Sequence, residues 1–165
     1  MDIAVTMVEH HVWLVGELIE WAAQHEHVLE TVVPAGGLSD DDSEQTVRTL
    51  LDQLVGQLEM WLEAVDGNPS PGDLGNSPDD LRKRHAEAGQ RFTELVRRVV
   101  AEDRAAEVFR AGPADHPDVF TYGGMVAHVL SFGAHRRSMV IGALTSAGAG
   151  DLRYGDPLTY FAERA

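Results

Sequence analysis

Residues 120–144 read FTYGGMVAHVLSFGAHRRSMVIGAL and predict a helix that is apolar almost all round. Two histidines, His128 and His135, interrupt its apolar surface. They lie seven residues apart, so an ideal helix turns them only about 20° away from each other. A buried histidine needs a hydrogen-bond partner, and histidine is the most common metal ligand. The segment is therefore either a core helix with two hydrogen-bonded histidines or one wall of a binding site.

The chain contains three further segments in which apolar residues recur at helical spacing. They cover about residues 2–33, 43–65 and 78–106, and the apolar helix covers about 121–146. Turn-forming residues fill the connections, including a loop at 111–119, and the tail after Gly150 looks irregular. The pattern predicts one all-α domain over residues 1–165, a four-helix bundle with long connections that allow a crossover.

Composition limits the classes of function. The formal net charge is −14, which argues against binding nucleic acid or an anionic membrane. No apolar run approaches the roughly 18 residues needed to span a membrane, and the N-terminus resembles no signal peptide, so we expect a cytoplasmic protein. The chain has no cysteine, which excludes disulfides, thiolate metal sites and a cysteine nucleophile.

Several polar side chains fall on the predicted inward stripes and are candidates for a site between facing helices. They are His11, Gln53 or Gln57, His128, Ser131 and His135. His128 and His135 are about 10 Å apart along the helix axis, so one metal ion cannot bind both directly. Each histidine can also be a core residue that is hydrogen-bonded to a carboxylate, a glutamine or a backbone carbonyl.

Arg136 and Arg137 follow His135 directly, so one of the two must point toward the interior or its mouth. A buried arginine needs an anionic partner. The simpler interpretation is a salt bridge to Asp52, Glu59 or an acid of the third helix. The alternative is an anchor for a substrate that carries a carboxylate.

The helical layout and three segments resemble the DinB-like (YfiT-like) metalloenzymes. The segments are HVWLVGELIEW (11–21), LLDQLVGQLEMWL (50–62) and AHVLSFGAHRRSMVIGAL (127–144), and the resemblance covers nearly the whole chain. It implies a helical bundle, often a homodimer, in which three histidines bind one divalent ion, commonly nickel or zinc. Relatives in that family include transferases and isomerases that use a low-molecular-weight thiol such as mycothiol, bacillithiol or glutathione.

The family motif matches this chain at only one of its three histidines. His135 corresponds to the last histidine, whereas Ser131 stands at the position four residues earlier. The histidine of the second helix corresponds to Gln53, or to Gln57 if the alignment slips by one turn. Serine and glutamine oxygens are poor ligands for zinc or nickel. Either other histidines replace the missing ligands, or the cavity holds a ligand without a metal.

Three hypotheses of function follow. The first is a metal- and thiol-dependent transferase or isomerase of a small molecule. Its metal ligands would be drawn from His11, Gln53, His128 and His135, its catalytic residues would be His135 and Arg136, and its substrate contacts would be Trp61, Ser131 and Arg137. The second is a metal-free bundle that binds a small apolar or anionic ligand or acts in stress. The third is a structural homodimer with Trp13, Trp21 or Trp61 at its interface.

Overall fold

The computed structural model describes residues 2–33, 45–67, 74–113, 115–150, 152 and 155–164, and these are mostly helical. The helices are α1 (Ile3–Gln24), α2 (Val47–Asp66), α3 (Pro78–Ala101), α4 (Tyr122–Ser146) and the short α5 (Pro157–Ala162), with one turn of 3-10 helix at Glu26–Val28. Two antiparallel strand pairs accompany them: β1 (Val32–Val33) with β2 (Gln45–Thr46), and β3 (Val108–Ala111) with β4 (Asp118–Thr121). The predicted all-α class is confirmed for these residues, which are mostly helical with only short strand pairs.

Side chains that accept backbone N–H groups set the starts of the long helices. Asp2 caps α1, Thr46 caps α2 and Thr121 caps α4. Ser77 and Asp80 form a reciprocal capping box at α3, followed by a proline in its first turn. Such caps satisfy N–H groups that have no partner inside the helix, and they fix where each helix begins.

Four ion pairs fix the relative directions of the first three helices. They are Glu9–Arg97 and Glu20–Arg82 between α1 and α3, and Asp52–Arg84 and Asp66–Arg91 between α2 and α3. Rising residue numbers in α1 meet falling numbers in α3, so these two helices are antiparallel. Rising numbers in α2 meet rising numbers in α3, so these two are parallel.

The helix α4 closes the arrangement by packing against α1 and α2. It is antiparallel to α2, because Gln53 contacts Arg136 while Trp61 contacts His128. It is therefore parallel to α1. Buried apolar side chains form two clusters along these helices, one around Leu18, Leu51 and Val140 and one around Phe92, Leu58 and Val129.

The buried side of α4 differs from the predicted one. Its buried residues are Tyr122, Met125, Val126, Val129, Gly133, Arg137, Val140 and Leu144. His128 and His135 are only half-buried at the flank of this side, and Ser131 is exposed. The prediction that Ser131 faces inward is wrong. A helix that is apolar almost all round shows no strong preference for one face, so its neighbours decide which side is buried.

Several predicted boundaries need correction. The first helix ends at Gln24 rather than near 33, because His25 leaves the helical conformation and its Nδ1 donates to the Trp21 carbonyl over 2.9 Å. The third helix ends at Ala101, and two residues later Asp103 adopts a left-handed conformation with φ 53°. The predicted loop at 111–119 overlaps both strands of a hairpin, and the tail contains α5. The predicted connection through 34–44, with the start of the second helix at 43, lies outside the described residues, as does 68–73.

Across the described ranges, no helix combines the length and the apolar character that crossing a bilayer requires.

Candidate functional site

A groove with a volume of about 950 Å³ lies between the second half of α2, the β3–β4 hairpin and the first turns of α4. Its described apolar lining consists of Met60, Trp61, Ala64, Ala111, Val119, Phe120 and Met125. The hairpin supplies one wall because β3 and β4 pair in register, with Phe109 opposite Phe120. A largely apolar concave surface of this size is typical of a small-molecule site.

Aromatic rings form the base of this groove. The ring of Trp61 lies 5.1 Å from that of Phe120 and 5.7 Å from that of His128, in edge-to-face arrangements of 85° and 75°. His128 stacks on Phe132 at 4.3 Å, and Phe109 lies 6.1 Å from Trp61 behind the groove. Such contacts hold each ring in place, so the wall is preformed.

The ionisable groups of the lining are two acids and one histidine. Glu63 and Asp118 are the acids, and neither lysine nor arginine belongs to the described lining. Burial lowers the pKa of His128 below its ordinary value of 6.5, and the charge of Arg136 lowers it further. His128 is therefore predominantly neutral at pH 7.

Arg136 lies outside this lining and contacts α2. Its Nε donates to Oε1 of Gln53 over 3.2 Å, and Nε2 of Gln53 donates to Oε1 of Gln45 over 3.0 Å. Burial lowers the pKa of Arg136, although a guanidinium remains protonated at pH 7. Gln53 thus holds an arginine through a neutral contact.

The expected salt bridge from Arg136 or Arg137 to Asp52 or Glu59 is wrong. Arg84 of α3 takes both acids, donating to Oδ1 of Asp52 over 2.6 Å and to both oxygens of Glu59 over 2.9 and 2.6 Å. These contacts raise the pKa of Arg84. The parallel packing of α2 and α3 places Arg84 between the two acids, which α4 does not reach.

Arg137 is the arginine that points into the interior, as predicted for one of the pair, and it is 7% exposed. Its Nη1 donates to Nδ1 of His11, a residue with no exposed surface. A guanidinium cannot accept a hydrogen bond, so Nδ1 of His11 is unprotonated and Nε2 carries the hydrogen. That Nε2 has no hydrogen-bond partner among the described residues.

Burial dominates the electrostatics of this interior pair. It lowers the pKa of His11 well below 6.5, and the charge of Arg137 contributes next. Burial also lowers the pKa of Arg137 to about 10. At pH 7 a neutral histidine therefore faces a charged arginine, and no carboxylate in the described part of the chain forms an ion pair with that arginine.

Two histidines that the sequence analysis did not assign also lie in this region. The ring of His85 contacts the Val12 carbonyl, and burial lowers its pKa. The signal for His85 was its helical spacing with the buried Leu81, Ala88 and Phe92 of α3. His10 donates from Nε2 to the Gly155 carbonyl over 2.6 Å, and its ring meets that of Tyr160 of α5 edge to face at 5.3 Å, which no local pattern in α1 indicates.

The structure separates the predicted site residues into different places. Trp61 and His128 line the groove, Gln53 meets Arg136 between α2 and α4, and His11 meets Arg137 between α1 and α4. His135 is half-buried, and its Nε2 has no hydrogen-bond partner among the described residues. Ser131 and Arg137 do not belong to the lining of the groove.

The described residues do not fit the metal site that the resemblance implies. Within the described ranges, no group of three or more histidines, aspartates or glutamates is placed to hold a metal ion. The oxygen of Gln53 already accepts from Arg136, and Nδ1 of His11 already accepts from Arg137. These two candidate ligands therefore each have a guanidinium beside them, which would repel a divalent cation.

Comparison with known proteins adds no relative to this description. No protein-family model, no curated protein and no solved structure matches the chain. The resemblance to the DinB-like proteins stays a prediction, and the groove is the feature of the structure that bears on function.

Proposed function

We propose that this protein is a DinB-like four-helix bundle that binds a small, largely apolar molecule in the groove between α2, the β3–β4 hairpin and α4. The observation that carries the proposal is the groove itself, about 950 Å³ with seven apolar side chains in its described lining. The packing of four long helices and the motifs in α2 and α4 support the family. The predicted homodimer, cytoplasmic location and thiol cofactor stay predictions.

The chemistry of the groove favours binding over catalysis. Trp61, Phe120 and Met125 offer apolar and polarisable surface, whereas the described part of the lining contains no cysteine, serine or lysine to act as a nucleophile. A ligand of about 24 heavy atoms at about 0.3 kcal/mol per atom would bind with a dissociation constant on the order of 10 μM.

The neutral dye Nile red tests this proposal by fluorescence titration. Ala64→Phe puts a large side chain into the groove from a half-buried position in its lining. Ala134→Phe makes the same change at an exposed position of α4, outside the groove, and is the matched control. We expect Ala64→Phe to weaken binding at least about tenfold and Ala134→Phe to leave it within about twofold.

A second readout comes from Trp61. The chain has three tryptophans, so Trp13→Phe/Trp21→Phe leaves Trp61 as the sole reporter, and its emission should change when dye binds. Absence of dye binding to the wild type would refute the proposal. Equal binding by Ala64→Phe and Ala134→Phe, with both variants folded by circular dichroism, would also refute it because the dye would then bind elsewhere.

The second candidate is the metal- and thiol-dependent transferase or isomerase. One observation favours it: Nε2 of His135 is buried without a hydrogen-bond partner among the described residues. Metal analysis of protein purified without a histidine tag separates the candidates. The metal-free proposal expects substoichiometric metal that His135→Ala does not change. Stoichiometric nickel or zinc that is lost in His135→Ala would favour the enzyme instead.

A further inference from the structure

Arg136 is a half-buried arginine that pairs with no acid of the described residues. The chain nevertheless carries 27 aspartates and glutamates against 13 lysines and arginines. We propose that the guanidinium of Arg136, held between α2 and α4 by Gln53, binds the carboxylate of a small organic acid. This site lies outside the lining of the groove, so the inference goes beyond the proposed function and does not rest on it.

The ion pairs of other arginines show how unusual this position is. Salt bridges to acids are found for Arg48, Arg82, Arg84, Arg91, Arg97 and Arg104. Arg136 forms none within the described ranges, and burial lowers its pKa, so its guanidinium has lost part of its hydration without gaining a counter-charge. A bound anion would supply that counter-charge and offset the lost hydration.

The terminal nitrogens of Arg136 are available to a ligand. Its Nε donates to Oε1 of Gln53, and Nε2 of Gln53 donates to Gln45, so neutral side chains hold the guanidinium in place. Among the described residues, Nη1 and Nη2 of Arg136 have no hydrogen-bond partner, and neither is an atom cut off from solvent. The parallel N–H groups of such a fork match the two oxygens of a carboxylate.

The acids of α2 near this point are already engaged. Asp52 precedes Gln53 in the chain, and both Asp52 and Glu59 accept from Arg84 of α3. The positive charge of Arg136 therefore remains available to an external anion. One guanidinium balances one negative charge, and a net charge of −14 repels a dianion more strongly than a monoanion. Both considerations favour a carboxylate over a phosphate dianion.

Benzoate and its neutral isostere benzamide test the inference in NMR titrations of the full chain. Amide chemical shifts are followed at low ionic strength, in a buffer free of other carboxylates and of phosphate, because salt screens a half-exposed charge. We expect benzoate to bind with a dissociation constant on the order of 1 mM and benzamide to bind at least about tenfold more weakly. Phenylphosphonate, as a dianion, should bind more weakly than benzoate.

Two variants and their matched controls assign the binding to Arg136. Gln53→Glu puts a carboxylate beside the guanidinium, where it should compete with benzoate and weaken its binding at least about tenfold. Gln24→Glu makes the same charge change at an exposed position at the end of α1 and should stay within about twofold of wild type. Arg136→Gln should lose at least about tenfold in affinity, whereas Arg98→Gln, at an exposed position of α3, should not.

The outcomes separate this inference from the proposed function. Equal binding of benzoate and benzamide would overturn it, as would a Gln53→Glu variant that is folded by circular dichroism and binds benzoate as Gln24→Glu does. Displacement of Nile red by benzoate would also overturn it, because the acid would then occupy the groove. Tighter binding of phenylphosphonate than of benzoate would overturn the choice of a carboxylate. None of these results changes the sensitivity of Nile red binding to Ala64→Phe, which tests the small-molecule proposal.

Discussion

Arg137 donates to Nδ1 of His11 in the interior between α1 and α4, and this contact joins a charged residue to a neutral one. Arg84 shows the more usual solution, because its guanidinium contacts two carboxylates near the surface. A buried cation without a counter-charge loses hydration that a neutral histidine restores only in part. The contact fixes the tautomer of His11 and aligns two helices, but we expect it to cost stability.

Replacing the interior arginine with an apolar side chain should therefore stabilise the fold. We expect Arg137→Met/His11→Leu to raise the free energy of unfolding by about 1–3 kcal/mol, because it removes a buried charge together with its partner. Urea unfolding measures the change, and Arg98→Met at an exposed position of α3 is the control, expected within about 0.5 kcal/mol of wild type. Nile red binding should not change in the double variant. A loss of more than about 1 kcal/mol would show that Arg137 has a stabilising partner other than His11.

The close approach of α1 to α4 depends on Gly133. A Cβ added there would lie 2.5 Å from Cε1 and 2.9 Å from Nδ1 of His11, where there is no room. We expect Gly133→Ala to destabilise the protein by about 1–3 kcal/mol. Gly142→Ala is the matched control on the same helix, because a Cβ there meets nothing within 4 Å, and it should stabilise by about 0.5–1 kcal/mol. Thermal and urea unfolding of both variants would contradict this packing if the two changes had the same sign.

Stability should fall as the solution is acidified below neutral pH. Burial lowers the pKa of His11, and it also lowers those of His10 and His85, so each binds a proton less readily in the folded than in the unfolded chain. As the pH falls below the ordinary value of 6.5, the unfolded chain takes up these protons first. The free energy of unfolding then decreases by at most about 1.4 kcal/mol per pH unit for each histidine.

The matched variant for this pH dependence is His11→Asn, which keeps an acceptor for Arg137 but does not titrate. Urea unfolding at pH 7, 6 and 5 should show a shallower slope for His11→Asn than for wild type. His116→Asn, at an exposed residue outside the interior, should leave the slope unchanged. Equal slopes for His11→Asn and wild type would contradict the assignment of His11 as a buried neutral group.

Local sequence patterns predicted that the long helices exist, with errors of several residues at the ends of the first and third, and predicted the short elements poorly. The predicted span 121–146 agrees with Tyr122–Ser146, because an apolar segment between a threonine cap and a glycine-rich end leaves few alternatives. The strand Val108–Ala111 is only four residues long, too short for alternation to stand out. It forms because its partner Asp118–Thr121 pairs with it, which is a contact that no single segment encodes.

The candidate site was predictable only where a residue's own helix decided its position. His11 lies on a regular apolar stripe, and its prediction as an inward residue is confirmed. The groove was not predicted, because Phe120 reaches it through the hairpin and meets Trp61, 59 positions earlier in the chain. The prediction that Ser131 faces inward was wrong because its helix lacks a polar face that would have indicated exposure.

Arg84 is expected to matter more for stability than any exposed arginine. Its side chain is 13% exposed and contacts Glu59, 15% exposed, and Asp52, 38% exposed. Arg84→Met would leave two carboxylates close together without a cation, and we expect a loss of about 2–3 kcal/mol in the free energy of unfolding. Arg82→Met is the matched control. Arg82 also pairs with two acids, Glu20 and Asp79, but at exposed positions. Exposed pairs contribute about 0–1 kcal/mol. Urea unfolding should therefore give a clearly lower free energy of unfolding for Arg84→Met than for Arg82→Met. A similar loss in both variants would show that the acids around Arg84 remain hydrated, and that α2 and α3 are held together by their apolar contacts alone.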